Sequence, residues 1–461
     1  MMTIHLFIWI LGFYTAVPPV AGEFEAGKVI DHVICKGDPT QSYALYIPAK
    51  GNAIALPVIY FFDPHGDGAL PVRKYAPLAE AYGFILVGSN NSKNGNDWSV
   101  TGNIWRRLLD DTQGRLKIDR NRIYTGGFSG GAKVAGYVAL QHPGIKGVIA
   151  GGAGLPDGTP AGDFNFSFTA LAGEGDMNRS DLVSFSNELD RSRTRHRIIH
   201  FDGIHEWAPA TSMNLAFAGL QFDAMRQGLL SKDAAFINRY VTQSKTRFDT
   251  YYKRQQLIKA EQECKLSISL LDGLTGETAW FTAKTASLAG NTLYRQQRQL
   301  QESLLVREQN TKAEYNQHFQ QIEDAYWSQT IRDLQTKAGG PARSGMEEKT
   351  WTASAERAMY QRLLAYLSLA FYSISNHLIN SNDNKDARHF VEWYKTADPA
   401  NSEAWYFSAI LFARDGNSPA TEKDLRKAVG CGFRDRERVR QQPEFSGLSP
   451  RLNMDRIFGS Y

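Results

Sequence analysis

The sequence predicts an α/β unit with a doubly wound, mostly parallel sheet over residues 23–228, followed by an all-helical region over residues 229–461. Short apolar runs alternate with amphipathic stretches through the first part, which is typical of parallel strands joined by helices. In the second part, strand signals give way to helical patterns rich in Gln, Lys and Arg. A length of 461 residues suits two or three domains.

The elements of the α/β part are predicted from apolar runs and helical spacing. An antiparallel strand pair over 33–47 precedes Leu56–Phe62, which is apolar throughout, as in strands buried on both faces. Further strands are predicted over 84–87, 123–128, 147–150, 166–172 and 197–202. Helices are predicted over 77–82, 104–116, 132–141, 182–189 and 214–225. In such a sheet the chemistry lies in loops beyond the carboxyl ends of the strands.

One stretch has the strand–turn–helix pattern of a nucleophile elbow. A β-branched and aromatic run enters Gly127-Phe128-Ser129-Gly130-Gly131, and a helical pattern leaves it. In that setting Gly-x-Ser-x-Gly presents a serine hydroxyl clear of the backbone. The glycines two positions before and after the serine avoid Cβ collisions in so tight a bend. Ser129 is therefore the predicted nucleophile.

A serine hydroxyl needs a base to take its proton and an acid to orient that base. Two consecutive predicted strands end in polar loops that supply both groups, in the order acid then histidine. Asp176 is the predicted acid, with Glu174 as the alternative if Asp176 caps the following helix. His205 is the predicted base in preference to His200, which lies inside a predicted strand.

Two backbone N–H groups are expected to bind the oxyanion. One belongs to Gly130, the residue after the nucleophile, and the other comes from the loop after an early strand. In that loop either Gly66 or Asp67 offers the second donor. The alternatives for this loop are a tight turn or a cation site formed by Asp63 and Asp67. Neither carboxylate has partners at a calcium-loop spacing, so no metal is predicted.

Four residues are candidates for contact with substrate. Asn90 and Asn91 follow a predicted strand, Phe128 precedes the serine, and Trp207 lies two residues after the histidine. Trp98 lies nearby in sequence. Packing within the loops is the alternative role for all of them, and it is the favoured role for Trp98.

Residues 43–227 resemble the α/β-hydrolase fold and, within it, secreted esterases related to feruloyl esterases and polyhydroxybutyrate depolymerases. The matching pieces are His65-Gly66 after an apolar strand, the elbow, the acid loop, and Gly-Ile-His-Glu-Trp ending at Trp207. The resemblance implies a serine carboxylesterase that needs no cofactor and acts on small-molecule or polymer-linked esters. Asp63-Pro64 before the His-Gly pair and the helical half of the chain depart from the family pattern.

The end of the helical region resembles a tetratricopeptide helix pair. This resemblance covers 398–433, with Trp405, Ala409 and Phe412 at the positions those repeats use for packing. A degenerate second unit would lie over 360–394. The alternative is a helical domain that simply packs on the hydrolase.

The helical region also predicts a buried helix, a flexible break and two alternative functions for the protein. A buried helix is predicted over 363–374, and Gly and Pro predict a flexible break over 337–349. The helical region is also a candidate surface for a protein partner. An interaction protein with an inert hydrolase domain and a serine peptidase of related fold are therefore the alternatives to an esterase.

The N-terminus predicts export. An apolar run over 6–17 is too short to span a bilayer, and Val20-Ala21-Gly22 offers small residues for a signal peptidase. Residues 1–22 are therefore the predicted signal peptide of a periplasmic or secreted protein, with a buried first strand as the alternative.

Composition excludes some classes of function. The chain has 52 basic and 48 acidic residues, and no basic run predicts binding to nucleic acid. Three cysteines, Cys35, Cys264 and Cys431, are too few for a disulfide framework and lack metal-ligand spacing. They are predicted to be buried small hydrophobic residues, with one disulfide left open as the alternative.

Overall fold

The computed structural model describes residues 23–49, 54–339, 350–446 and 454–459. The predicted signal peptide, residues 1–22, lies outside the described residues. So does most of the break predicted over 337–349.

The first part contains an eight-stranded sheet. Its strands are β1 (Val29–Cys35), β2 (Asp38–Tyr46), β3 (Leu56–Phe62), β4 (Ile85–Ser89), β5 (Ile118–Phe128), β6 (Ile145–Gly151), β7 (Ser167–Gly173) and β8 (His196–Phe201). The spatial order is β1-β2-β4-β3-β5-β6-β7-β8. The pairs β1–β2 and β2–β4 are antiparallel, and all other pairs are parallel. The predicted fold class, including the antiparallel edge pair, is confirmed.

Five helices cover this sheet. They are α1 (Ala69–Tyr82), α2 (Trp98–Arg115), α3 (Gly130–Gln141), α4 (Arg179–Leu189) and α5 (Ala210–Arg226). The sequence predicted the first of these helices only over 77–82. The helix instead starts at Ala69 and continues through Pro77, since burial of Val72 and Tyr75 against the sheet extends it.

The central strand β3 shows why both faces of the sheet need cover. Ile59 and Phe61 pack on the side of α1 and α5. Val58, Tyr60 and Phe62 pack on the opposite side, against α2 and α3. All five are fully buried, as predicted for a run without polar alternation.

The second part of the described chain is helical. Its helices are α6 (Ala234–Lys253), α7 (Leu257–Leu271), α8 (Thr278–Ala289), α9 (Thr292–His318), α10 (Asp324–Lys337), α11 (Trp351–Asn380), α12 (Asn384–Ala397), α13 (Ser402–Arg414), α14 (Ser418–Gly430), α15 (Arg436–Gln441), α16 (Pro443–Ser446) and α17 (Met454–Phe458). Helices α6–α8 share a hydrophobic core with α1 and α5. Helices α9–α17 enclose a separate core.

Helix α11 corrects one prediction. Its residues 363–374 were expected to be apolar and buried nearly all round. Most of this segment is buried or half-buried, and its buried residues include Ser368 as well as Leu363, Leu367 and Phe371, with Arg362 buried just before it, but Leu369 is 45% exposed. Helix α11 therefore packs against α9, α10, α12 and α13 but keeps part of its surface in contact with solvent.

The tetratricopeptide-like pair corresponds to α13 and α14, which pack against each other. Ala409 is buried, whereas Trp405 and Phe412 are half-buried. Lys395 and Lys427 lie over the Trp405 ring at 5.2 and 5.6 Å from its centroid. Membership of these helices in a repeat family remains a prediction.

Cysteine burial agrees with the prediction at two of three positions. Cys35 and Cys264 are buried and Cys431 is half-buried, and all three are free thiols. Within the described ranges, none of the helices has the length and apolar character needed to cross a membrane.

Candidate active site

Ser129 occupies the sharp turn between β5 and α3. Its backbone has φ 53 and ψ −123, a strained conformation for a residue with a side chain, which typically costs about 1–3 kcal/mol. A Cβ at Gly127 would lie 2.1 Å from the carbonyl oxygen of Gly131. A Cβ at Gly131 would lie 2.0 Å from the carbonyl oxygen of Phe62. The glycine spacing is therefore required by the close approach of these backbones.

The serine lies in a chain of hydrogen bonds with two side chains from other loops. His205 Nε2 is 3.0 Å from Ser129 Oγ. His205 Nδ1 is 3.0 Å from both carboxylate oxygens of Asp176. Because an ionised carboxylate can only accept, this contact places the proton on Nδ1 and leaves Nε2 free to accept from the serine hydroxyl.

Asp176 is buried and firmly oriented. It is 1% exposed. The Asn178 backbone N–H donates to Asp176 Oδ1 at 2.9 Å, and Asn178 Nδ2 donates to the Gly152 carbonyl oxygen at 2.7 Å. A Cβ at Gly152 would lie 3.0 Å from His205 Cε1 and 3.1 Å from Asp176 Oδ2, so the hydrogen-bonded pair fits closely against this backbone.

The alternative acid and base form a separate pair. Arg179 Nε lies 2.7 Å from Glu174 Oε2, and His200 Nδ1 lies 3.4 Å from Glu174 Oε1. Burial alone would raise the pKa of Glu174, but the charges of Arg179 and His200 lower it to about 2. Burial lowers the pKa of His200 to about 4. The structure thus brings Asp176, and not Glu174, to the serine's histidine.

The candidate oxyanion donors differ in how their N–H groups are used. Gly130 is the first residue of α3, so its N–H has no partner within the helix. Gly66, at φ +77, donates to the carbonyl oxygen of Asp63 at 3.2 Å. The Asp67 N–H has only a 3.4 Å contact with the Asp63 carboxylate. Of the two open alternatives, Asp67 has the more weakly held donor.

Asp63 has a role that the sequence did not indicate. It is 3% exposed, and its Oδ2 accepts a hydrogen bond from Trp207 Nε1 at 2.9 Å. Its Oδ1 accepts from the His65 backbone N–H at 2.8 Å. Burial alone would raise the pKa of Asp63, but the hydrogen bonds from His65 and Trp207 lower it. The carboxylate therefore joins the loop after β3 to the loop that carries the histidine.

Two aromatic candidates lie beside the histidine. The Phe128 ring is 4.6 Å from the His205 ring and 5.7 Å from the Trp207 ring, centroid to centroid. Phe128 and Trp207 are 9% and 8% exposed. Phe128 therefore packs against the imidazole, and Trp207 packs against Phe128.

Asn90, Asn91 and Trp98 have partners elsewhere. Asn90 Nδ2 donates to Ser42 Oγ at 3.2 Å, and Asn91 Oδ1 accepts from the Ser42 backbone N–H at 2.8 Å. These bonds tie the loop after β4 to β2. Trp98 stacks on Tyr137 with ring centroids 4.6 Å apart. All three contacts correspond to the packing alternative.

A different asparagine in that loop faces the elbow. A Cβ built at Gly130 would lie 1.8 Å from Asn94 Oδ1, so this exposed side chain rests directly on the residue after the serine. The Asn94 backbone N–H donates to the Pro64 carbonyl oxygen at 2.8 Å. The run of polar residues around Asn94 indicated a loop, but not which amide would turn toward the site.

Two further features of the structure, possible metal ligands and a cavity, bear on the site. Among the described residues, no group of three or more His, Cys, Asp or Glu side chains could hold a metal ion. A cavity of about 950 Å³ lies between β8 and helices α4, α7, α9 and α11. Glu174 and His200 line it, whereas Ser129 and His205 do not.

The strand order, the elbow and the parallel strands ending at one edge define a protein with the α/β-hydrolase fold, followed by a run of helices. No known family model matches the chain. Acetylxylan esterase A of Emericella nidulans is 24% identical over 136 residues, which is 26% of this chain and 45% of that protein. The chain thus spans less than half the length of this relative.

Solved structures of esterases are also similar to part of the chain. The thermostable carboxylesterase EstE1, from a metagenomic library, matches 43% of this chain and 90% of its own, with 13% identity and a TM-score of 0.37. The esterase of Pyrobaculum calidifontis matches 44% of this chain and 85% of its own, with 13% identity and a TM-score of 0.35.

Proposed function

We propose that the protein is a serine hydrolase that cleaves carboxylic esters. The observation that supports this most directly is the hydrogen-bonded chain at the elbow, with His205 at 3.0 Å from both Ser129 Oγ and the Asp176 carboxylate. These distances suit proton transfer from a hydroxyl to a base whose orientation is fixed. The similarity to acetylxylan esterase A supports an acyl ester, small or attached to a polymer, as the substrate class.

The reaction follows from these positions. Ser129 Oγ attacks the ester carbonyl carbon while its proton passes to His205 Nε2, and Asp176 holds the resulting imidazolium. The N–H groups of Gly130 and Asp67 stabilise the oxyanion, and loss of one such donor typically costs about 3 kcal/mol in the barrier. The intermediate collapses, His205 returns the proton to the departing alcohol, and an acyl-enzyme remains. Water then repeats the steps and releases the acid.

A substrate panel tests the bond that is cleaved. The full chain and Ser129→Ala are compared on p-nitrophenyl acetate, a feruloyl ester, an oligomer of 3-hydroxybutyrate and a peptide p-nitroanilide. Hydrolysis of one or more esters that disappears with Ser129→Ala supports the proposal. Hydrolysis of the peptide substrate alone would favour a peptidase, and no hydrolysis of any substrate would favour the inert interaction protein.

Export is proposed on the N-terminal sequence pattern. Mass spectrometry of the chain from the cell envelope or medium tests it, since removal of residues 1–22 leaves an N-terminus at Glu23. Retention of the apolar run in a chain found only inside the cell would contradict this proposal.

A further inference from the structure

The helical region contacts the loop that carries Asp176. Arg362 Nη1, on α11, donates a hydrogen bond to the backbone carbonyl oxygen of Glu174 at 2.6 Å. The adjacent Gln361 packs on the same loop, since a Cβ at Gly175 would lie 2.4 Å from Gln361 Oε1. Two consecutive residues of α11 thus touch the two residues that precede Asp176.

Arg362 is held in one orientation by a buried carboxylate. Its Nε and Nη2 lie 2.8 and 2.7 Å from Glu308 Oε2 on α9. Arg362 is 7% exposed and Glu308 is 1% exposed. Burial alone would raise the pKa of Glu308, but the charge and hydrogen bonds of Arg362 lower it, so the carboxylate stays ionised. Because a guanidinium is planar, fixing two of its nitrogens fixes the direction of the third.

The consequence of this buried ion pair is chiefly geometric. Desolvation of two charges largely offsets their attraction, so such a pair adds little net stability compared with apolar residues. What the pair does is connect α9 and α11 to the loop after β7. From within the hydrolase part, Arg179 holds the carboxylate of Glu174 at 2.7 Å. The loop is therefore held from both parts of the chain.

The position of this loop determines how Asp176 meets His205. Both carboxylate oxygens lie 3.0 Å from His205 Nδ1, and rates of catalysis fall steeply when such groups are misplaced. We propose that Arg362 is a positioning residue for Asp176, so that the helical region contributes to the active site. This inference rests on the proposed function.

The test removes the contact without leaving Arg362 or Glu308 buried and unpaired. Lys312, which loses its 2.8 Å contact with Glu308, is partly exposed. Arg362→Met combined with Glu308→Met replaces both members of the pair by apolar chains, a change that proteins often tolerate. On p-nitrophenyl acetate we expect kcat to fall about 10–100-fold, and KM to change less than about threefold because the lost interaction orients the transition state. The matched control is Arg414→Met with Glu444→Met, an ion pair of 2.7 Å within the helical region, which should leave kcat unchanged.

A second background separates positioning from general damage. In Asp176→Asn, the Arg362→Met and Glu308→Met pair should slow fluorophosphonate labelling of Ser129 by less than about twofold, because Arg362 acts only through Asp176. Equal losses in both backgrounds, or unchanged kcat in the native background, would overturn the inference.

Two further results complete the test. Arg362→Lys keeps the buried charges paired but lacks the planar guanidinium, so it should also lower kcat. This variant replaces the double variant as the test if the double variant does not fold. A native chain that fails to react with fluorophosphonate would overturn the proposed function, and this inference with it.

Discussion

Replacing Trp207 with Phe tests whether its hydrogen bond to Asp63 holds the histidine loop in place. The bond is 2.9 Å long, and the residues are 8% and 3% exposed. Phe keeps most of the ring packing but leaves the buried carboxylate without this donor, and a hydrogen bond to a charged group contributes about 1.5–3 kcal/mol. At about 2–4 °C per kcal/mol, we expect Tm to fall by about 3–12 °C.

A double-mutant cycle isolates this contact. Tm and the denaturant midpoint of the full chain are measured for Trp207→Phe, Asp63→Asn and their combination, and we expect a coupling energy of about 1–2 kcal/mol. The matched control is Trp98→Phe, since Trp98 is 44% exposed and should shift Tm little. Additive effects of the two changes would show that this hydrogen bond does not stabilise the folded chain.

The pH dependence of this effect has a definite sign. Hydrogen bonds from His65 and Trp207 lower the pKa of Asp63 in the folded chain, against the effect of burial. A folded-state pKa below the unfolded one contributes stability above about pH 4, which is lost as the pH falls through the folded value. The destabilisation by Trp207→Phe should therefore shrink in acid, and a constant difference would contradict this assignment.

Three further changes test neighbouring contacts. Asp176→Asn cannot hold the required histidine tautomer, so kcat should fall about 10⁴-fold; a loss below tenfold in steady-state assays would contradict this. Gly152→Ala places a Cβ 2.7 Å from Phe128 Cε2 and 3.0 Å from His205 Cε1, so kcat should fall about 10²-fold; an unchanged kcat would contradict it. Glu174→Gln removes a carboxyl group whose pKa is lowered to about 2 in the folded chain. The native chain should therefore have the higher free energy of unfolding in denaturant above about pH 4, and the difference should vanish toward about pH 2. An advantage that persists at about pH 2 would argue against that lowered pKa.

Local backbone demands made the elbow predictable from the sequence. A serine at φ 53 needs neighbours without Cβ atoms. Cβ atoms at Gly127 and Gly131 would lie 2.1 and 2.0 Å from backbone oxygens, so glycine is required at both positions and the motif can be recognised in the sequence. The strand ends were predictable for a similar reason, because buried parallel strands are continuous apolar runs. Asp176 follows such a run, β7, and His205 follows the neighbouring parallel strand β8, in which burial alternates. Their meeting with Ser129 followed from the topology, because parallel strands end at the same edge of the sheet.

Contacts between distant segments could not be predicted in this way. The indole of Trp207 donates a hydrogen bond to Asp63, 144 residues away in sequence. Arg362 donates one to the carbonyl oxygen of Glu174, 188 residues away. Nothing in the local pattern around Arg362 distinguishes it from an exposed arginine beside an apolar helix stripe. Partner choice depends on how helices pack on the sheet, which local spacing does not encode.

The loop after β4 shows the same limit on a smaller scale. Asn90 and Asn91 turn back to β2, while Asn94 turns to Gly130. All three are equivalent as polar residues in a loop, and only the packed structure separates them.

Fluorophosphonate labelling of the full chain, read by intact mass and peptide mapping, measures whether Ser129 is an activated nucleophile. The reagent reacts with a serine whose proton is taken by a positioned base. We expect one adduct, on Ser129, which is absent in Ser129→Ala and forms more slowly in Asp176→Asn. A folded native chain that takes up no label, or an adduct that persists in Ser129→Ala, would contradict the proposed role of Ser129.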